Sequence, residues 1–378
     1  MSLDREELIR YNRQIILPDF GVEGQEKLKA SSVLVIGAGG LGAPNLQYLV
    51  AAGVGRIGIV DFDEVSLTNL QRQVLFNTQE LGASKAITAA EKLKAINPGI
   101  EIDVYEEQIS AENAFELISP YDMVVDGSDN LPTRYLVNDA CVLLEKTLIY
   151  GAIFRFEGQV SVFNELHADG TRGPNYRDIF PTPPPPEMVP SCSEGGVFGV
   201  LPGMVGSMQA SEAIKILAGL GTSLSGRLLL FDSLDFSMRF LNIRPDPQNP
   251  VSGHSPTITQ LIDYEAFCAG PESNKEEPAS LSVLELKESQ EQYFVLDVRE
   301  PYEYEISNLG AVNIPLRELG KRKEEIPKDR PIVVHCKSGV RSLQAIQLLE
   351  KQGFDGLYNL EGGILAWQLQ VDPDMAVY

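Results

Sequence analysis

Residues 32–61 read SVLVIGAGGLGAPNLQYLVAAGVGRIGIVD, and the rest of the chain is placed from them. An apolar run at 32–37 ends in glycine, GAGGLG follows at 37–42, and an apolar-periodic stretch then runs to Gly53. Pro44 falls in the first helical turn, where a missing N–H is tolerated, and Gly53 can close the helix. RIGIVD at 56–61 is a second buried-type run. Strand, tight turn, helix and strand in that order form the βαβ unit of a parallel sheet.

Outward from this unit, strands are expected at 100–105, 122–126, 147–151, 158–164 and 227–232, and a helix at 205–219. PTPPPPEMVP at 181–190 reads as an extended, mobile loop. The composition shifts from Arg244 on: RPDPQNPVSGHSP is turn-rich, and GPESNKEEPAS at 270–280 reads as a linker. A new αβ pattern starts at 281. FVLDVR (294–299), AVNIP (311–315) and PIVVHC (331–336) are strand-like, and VRSLQAIQLLEKQG (340–353) is an amphipathic helix with a glycine stop. The expected organisation is an α/β domain at 1–248, a linker at 249–280 and a small α/β domain at 281–378.

Of 378 residues, 43% are hydrophobic and 22% charged, the profile of a folded chain of two or three domains. Thirty-one basic against 53 acidic residues leave a net charge of −22, which disfavours nucleic acid and anionic membranes as partners. No apolar run is long enough to span a membrane. The N-terminal MSLDREELIRYNRQ has no signal-peptide core, so a soluble cytoplasmic protein is expected. The four cysteines, Cys141, Cys192, Cys268 and Cys336, are far apart and form no Cys-x-x-Cys pair. That argues against a disulfide scaffold and against a zinc site built from cysteines.

Gly37-Ala-Gly39-Gly40-Leu-Gly42 fits G-x-G-x-x-G between a strand and a helix. Glycines let the backbone approach a phosphate, and the helix N-terminus turns free amides toward it. Asp61, 19 residues after Gly42, ends the next strand and can bind ribose hydroxyls. This pattern alone does not separate NAD from ATP. Arg13, Arg72 and Lys85 lie near strand ends in sequence, and VVDGSDN (124–130) adds Asp126 and Asp129 where a magnesium ligand would sit. Three cations and a carboxylate suit a metal-bound triphosphate better than a dinucleotide.

Over roughly 1–248 the chain resembles the MoeB/ThiF-type adenylyltransferases, relatives of ubiquitin-activating enzymes. The resemblance rests on RYNRQIILPDFGVEGQEKL (10–28), VIGAGGLG (35–42), AAGVGRIGIVDFDEVSLTNLQRQ (51–73), GASKA (82–86), VVDGSDN, YGAIFRFEGQVSVF (150–163) and PSCSEGG (190–196). It implies a Rossmann-like adenylation domain. ATP would be bound at Gly40, Asp61, Thr68, Asn69, Leu70, Gln71, Arg72, Lys85, Asp129 and Asn130. Asp129 would hold magnesium, and Arg72 and Lys85 would neutralise phosphates. Arg13 would reach the neighbouring subunit's site, which implies a homodimer. The implied substrate is a ubiquitin-like sulfur carrier whose C-terminal Gly-Gly carboxylate attacks the α-phosphorus of ATP. Positioning and charge neutralisation would do the chemistry. The family usually holds zinc with two Cys-x-x-Cys pairs; the matching stretches here are NYRD (Asn175 to Asp178) and NPVS (Asn249 to Ser252). With all four ligand cysteines absent, no zinc is expected, and packing or hydrogen bonds must hold the region.

Cys336 opens CKSGVRS after a strand and before an amphipathic helix. Amides in such a loop can point at a sulfur, the helix dipole favours a thiolate, and Lys337 and Arg341 add positive charge. Four residues separate Cys336 from Arg341, one fewer than a phosphatase loop needs to cradle phosphate. Over 281–378 the chain resembles the rhodanese domain instead, through LDVREPYEYE (296–305), GAVNIP (310–315), VVHCKSGVRS (333–342) and LEGGILAW (360–367). The resemblance implies a persulfide on Cys336, with Asp297 and Arg299 as structural supports. Cys192 matches the position where adenylyltransferase relatives carry a conjugating cysteine. Cys141 sits in an apolar-periodic helix and reads as core, no role is assigned to Cys268, and His335 should point away from the nucleophile, as strand neighbours do.

The expected protein is a two-domain sulfur-activating enzyme. One domain adenylates the carrier, and the other delivers sulfur loaded from a donor such as a cysteine desulfurase or thiosulfate. Molybdopterin, thiamine, cysteine and thiolated-tRNA pathways all use such carriers. Three alternatives stand beside this reading. They are a conjugation enzyme working through a Cys192 thioester, an NAD-dependent oxidoreductase, and a non-catalytic scaffold.

Overall fold

A computed structural model describes residues 2–184, 196–269 and 278–376. They fall into two compact units, Met1–Ser273 and Asn274–Tyr378. Cys192 and most of the proline-rich stretch 181–190 lie outside the described residues.

The first unit is built on an eight-stranded sheet. Its strands are β1 (Ser32–Ile36), β2 (Arg56–Val60), β3 (Glu101–Tyr105), β4 (Met123–Asp126), β5 (Thr147–Phe154), β6 (Glu157–Phe163), β7 (Arg227–Asp232) and β8 (Ser237–Asn242). The spatial order is β3-β2-β1-β4-β5-β6-β7-β8. The first five strands are parallel, and the run from β5 to β8 is antiparallel. In β1, Val33 and Val35 pack with Leu46, Leu49 and Ile59 on one face, while Leu34 and Ile36 pack with Val124 and Tyr135 on the other. Burial on both faces is why this strand is an unbroken apolar run. Strand order reverses at β1, with β2 on one side and β4 on the other. In sheets of this kind, ligands bind in the crevice outside the carboxyl ends at that reversal.

Differences from the sequence reading have local causes. The helix expected at 205–219 begins earlier, as Leu201–Ala218, with Pro202 in its first turn. β5 runs on to Phe154 because it turns directly into β6, pairing Phe154 with Glu157. β8 was not foreseen: five of its six residues are exposed, so it has no buried face to mark it in the sequence. Residues 249–269, expected as linker, pack on the first unit. Asn249, Val251 and Tyr264 are buried, the Tyr264 hydroxyl donates to Asp139 at 2.9 Å, and the Phe267 ring lies 5.3 Å from that of Tyr135.

The second unit has a parallel sheet of β9 (Ser280–Leu281), β10 (Phe294–Asp297), β11 (Val312–Asn313), β12 (Ile332–His335) and β13 (Leu357–Leu360), in the order β11-β10-β12-β13-β9. Cys336 follows the central strand β12, and the helix Val340–Glu350 begins four residues later. Among the described residues no helix is long and apolar enough to cross a membrane.

Candidate active sites

A pocket opens at the carboxyl ends of β1, β2 and β4, lined by Gly37, Gly39, Gly40, Asp61, Arg72, Lys85, Asp129 and Asn130 among others. Its floor depends on close backbone contact. Gly37 has φ +87°, and a Cβ on Gly42 would stand 1.8 Å from the Gly37 carbonyl oxygen. Gly42 therefore serves the turn from beneath and does not line the pocket. The Ala38 amide donates to Asp61 Oδ2 at 2.7 Å and the Asp63 amide to Oδ1 at 2.9 Å, fixing the carboxylate at the edge of the glycine turn. Burial pushes the Asp61 carboxyl up, against these two amides and Lys85.

Lys85 is the first residue of the helix Lys85–Ile96, whose cap Ser84 accepts from the Ile87 amide. Its side chain is only 5% exposed and its Nζ lies 2.8 Å from Asp63 Oδ2. Arg72 is held by a hydrogen bond from Nη1 to the Thr68 carbonyl at 3.0 Å. Thr68, Asn69, Leu70 and Gln71 do not line the pocket; they form the turn that carries Arg72 into it. Asp129 is exposed, while Asn130 caps the helix Leu131–Leu143 by accepting from the Thr133 amide at 2.9 Å.

Asp126 differs from its expected place beside a metal. It is fully buried below the pocket, where Oδ1 accepts from the Ser128 amide at 2.8 Å and Oδ2 lies 4.0 Å from Arg134. Burial drives its carboxyl up, which disfavours the charged form a cation needs. Arg13 is exposed on the helix Asn12–Ile15 and does not line this chain's pocket. Sequence reasoning missed Gln73, Asp63 and Arg134, all of which line it. Gln73 and Asp63 stand within a few residues of named positions, but only the fold turns them inward.

The four positions matching the zinc ligands form a hydrogen-bonded clasp. Asn175 Nδ2 donates to Ser252 Oγ at 2.8 Å, and Asn249 Nδ2 donates to Asp178 Oδ1 at 2.8 Å. Asn175 and Asp178 also form a capping box around the turn Tyr176–Asp178, and Asn249 Oδ1 accepts from the Val251 and Ser252 amides. Beside the clasp, Arg177 and Asp139 make a fully buried ion pair at 2.7 Å.

In the second unit, Cys336 is fully buried and its Sγ accepts from the Gly339 amide at 3.2 Å. Ser342 Oγ lies 3.6 Å from the same sulfur and 2.6 Å from Asn359 Oδ1. Gly339 takes φ +107°, which turns its amide inward toward the sulfur. Such donors suit a sulfur that bears charge. Arg341 is tied by both terminal nitrogens to Glu303. Asp297 and Arg299 form a fully buried pair at 2.6 Å that joins β10 to the carbonyls of Glu303 and Ser307. His335 is also buried, 3.7 Å from Asp297, and Cys141 is buried in the first unit's core. Among the described residues no group of three or more His, Cys, Asp or Glu could hold a metal.

Comparisons with known proteins agree across both units. The model of the ThiF family matches residues 11–251, and that of the rhodanese-like domain matches 282–370. The chain is 48% identical over 386 residues to the probable adenylyltransferase/sulfurtransferase MoeZ of Mycobacterium tuberculosis, spanning all of this chain and 97% of that protein. It is 57% identical over 268 residues to the sulfur carrier protein adenylyltransferase of Thermus thermophilus, covering 71% of this chain and 99% of that one. It is 43% identical over 398 residues to the adenylyltransferase and sulfurtransferase MOCS3 of Drosophila yakuba, covering all of this chain and 86% of that one. Among solved structures, E. coli MccB with ATP superposes with TM-score 0.56 at 22% identity, over 65% of this chain and 74% of that one, a likeness of fold.

Proposed function

This chain belongs to the ThiF family and carries a rhodanese-like domain; from that premise we propose that it is an adenylyltransferase and sulfurtransferase that converts the C-terminal Gly-Gly carboxylate of a ubiquitin-like sulfur carrier to a thiocarboxylate. The observation that carries the first half is the pocket at the sheet reversal, where Arg72, Lys85 and the exposed carboxylate of Asp129 line the same cavity as the glycine turn. Asp61 holds the ribose hydroxyls, and Arg72 and Lys85 neutralise the phosphates. Asp63, paired with Lys85 at 2.8 Å, keeps that ammonium in place until phosphate oxygens compete for it.

Asp129 fits a magnesium ion: it is one exposed carboxylate, and magnesium commonly takes one or two carboxylates with substrate phosphates and water. The ion would supply charge neutralisation on the triphosphate. The carrier carboxylate attacks the α-phosphorus, the bond to the β-phosphate breaks, and pyrophosphate leaves behind an acyl-adenylate. Arg13 works in the partner's site of a homodimer. No zinc is needed, since the clasp of Asn175, Asp178, Asn249 and Ser252 supplies the hold that thiolates would give.

In the second half, a persulfide on Cys336 attacks the activated carbonyl and displaces AMP. The product is an acyl-persulfide on Cys336. The Cys192 thiolate attacks the Cys336 sulfur, the S–S bond to the acyl-bearing sulfur breaks so that the thiocarboxylate departs, and an external thiol reduces the disulfide left behind. A cysteine desulfurase or thiosulfate reloads Cys336. Linking both activities raises the effective concentration of the sulfur donor. The cytoplasm is the compartment that keeps these thiols reduced.

The test incubates candidate carriers with ATP, magnesium and a sulfur donor. Carrier-dependent pyrophosphate exchange and a carrier mass with one sulfur in place of one oxygen are expected. Absence of exchange with every Gly-Gly carrier, together with NAD binding, overturns the reading.

A further inference from the structure

The loop after β12 is gripped by the start of a second helix. Gly362 caps the helix Gly363–Gln370 and Gly363 opens it, with φ +66° and +57°. The Ile364 amide donates to the Cys336 carbonyl at 3.0 Å, and the Leu365 amide donates to the Lys337 carbonyl at 3.1 Å. First-turn amides have no partner within their own helix, so these two can be spent on the loop. Ile364 and Trp367 root the helix in a core with Leu281, Val283, Val333 and Leu360. The approach leaves no room for a side chain: a Cβ on Gly363 would stand 2.6 Å from the carbonyl oxygens of both Cys336 and Lys337. Those oxygens belong to backbone, which cannot swing aside as the tip of a side chain does. Only glycine lets the helix dock there.

A trans peptide holds its C=O and its N–H antiparallel. With the Cys336 and Lys337 carbonyls fixed on the helix, the amides of Lys337 and Ser338 are fixed pointing away from it. The next amide, that of Gly339, donates to Cys336 Sγ at 3.2 Å. We propose that Gly363 is a positioning residue for sulfur transfer: by admitting the helix to the two carbonyls, it orients the loop amides toward the sulfur that carries charge. In the loading step the Cys336 thiolate attacks the outer sulfur of thiosulfate, a new S–S bond forms, the old one breaks, and its electron pair departs on sulfite. Negative charge passes from Sγ to the terminal sulfur of the persulfide. Preset amides stabilise that charge without reorganising as it moves. Gly363 touches neither sulfur; it acts through the carbonyls it leaves room for.

This inference rests on Cys336 being the sulfur-bearing thiol, and C336A in the full chain tests that separately: it must abolish thiosulfate:cyanide sulfur transfer, and a C336A protein that still transfers sulfur overturns that premise. With the premise established, Gly363→Ala is expected to lower kcat for the same reaction roughly 10²-fold, while KM for thiosulfate moves less than about threefold, since what is lost is made in the transition state. Hydrogen exchange at the Ile364 and Leu365 amides should quicken in G363A as their carbonyl partners are pushed away. Gly362→Ala is the matched control. Its methyl would meet the Ala366 side chain at 2.6 Å, and its near neighbours all belong to Ala366 rather than to the loop. G362A should melt at a lower temperature than wild type yet keep kcat within about twofold. If G363A does not fold, Leu365→Pro serves instead. It deletes the amide that holds the Lys337 carbonyl, at a first-turn position that tolerates proline, and a kcat loss of roughly tenfold or more is expected. A folded G363A with kcat within about threefold of wild type, an equal kcat loss in G362A, unchanged exchange at both amides, or an L365P of unchanged kcat overturns the proposal.

Discussion

The Asn175 amide nitrogen donates to the Ser252 hydroxyl at 2.8 Å across 77 residues of sequence, joining two turns that hold no cysteine. With the companion bond from Asn249 to Asp178, it makes a clasp in which Asn175 and Asn249 are buried.

Removing one member should be felt as lost stability. Asn249→Ala deletes a donor to Asp178 and an acceptor for two backbone amides. A loss of about 3 kcal/mol is expected, from three hydrogen bonds worth about 1 kcal/mol each. It would be read as a lower thermal midpoint of the first unit. A metal chelator should leave that midpoint unchanged; one stoichiometric zinc per chain by metal analysis would contradict the clasp as the substitute.

Two glycines should respond in opposite ways to alanine. At Gly42 the new methyl would meet the Gly37 carbonyl at 1.8 Å, so the glycine turn must shift, at a cost of about 3 kcal/mol and with loss of ATP binding. At Gly203, in the first turn of the helix Leu201–Ala218, nothing lies within 4 Å of the new methyl. That substitution should gain about 0.5 kcal/mol through the unfolded state. Calorimetric melting and nucleotide titration of both variants check the pair.

The two chemistries should separate by mutation. Asp129→Ala is expected to reduce ATP–pyrophosphate exchange by roughly 10²-fold or more, while thiosulfate:cyanide sulfur transfer continues at the wild-type rate. Loss of both activities from a folded D129A protein would mean that the two sites are not independent.

The second unit should weaken in acid. Burial holds the His335 imidazole below its ordinary value of 6.5, outweighing the nearby Asp297 carboxylate. Below that value the unfolded chain binds a proton that the folded unit resists, so stability falls as pH drops through 6 toward the depressed folded value. The unit should unfold at lower urea concentration at pH 5 than at pH 7. His335→Gln should flatten that slope by up to about one proton. An unchanged slope would assign the acid sensitivity to other groups.

The sequence was sufficient for whatever depends on local spacing. The βαβ unit at 32–61, the glycine turn, the acid at the end of β2 and the cysteine loop after β12 are all specified by neighbours a few residues apart. The absence of Cys-x-x-Cys pairs is likewise read directly along the chain. Tertiary structure alone decided what depends on meetings across the chain. It placed Asp126 under the pocket and left Asp129 at its surface, though the two are three residues apart and chemically alike. It turned four unremarkable polar residues into a clasp by bringing residues 175–178 against 249–252. It also set Glu303 against Arg341, 38 residues away, giving a cation of the cysteine loop a partner that its neighbours in sequence do not reveal. Hydrophobic periodicity is written along the backbone, but a charge is defined by its partner, and partners are assigned only when the sheet has brought distant loops together.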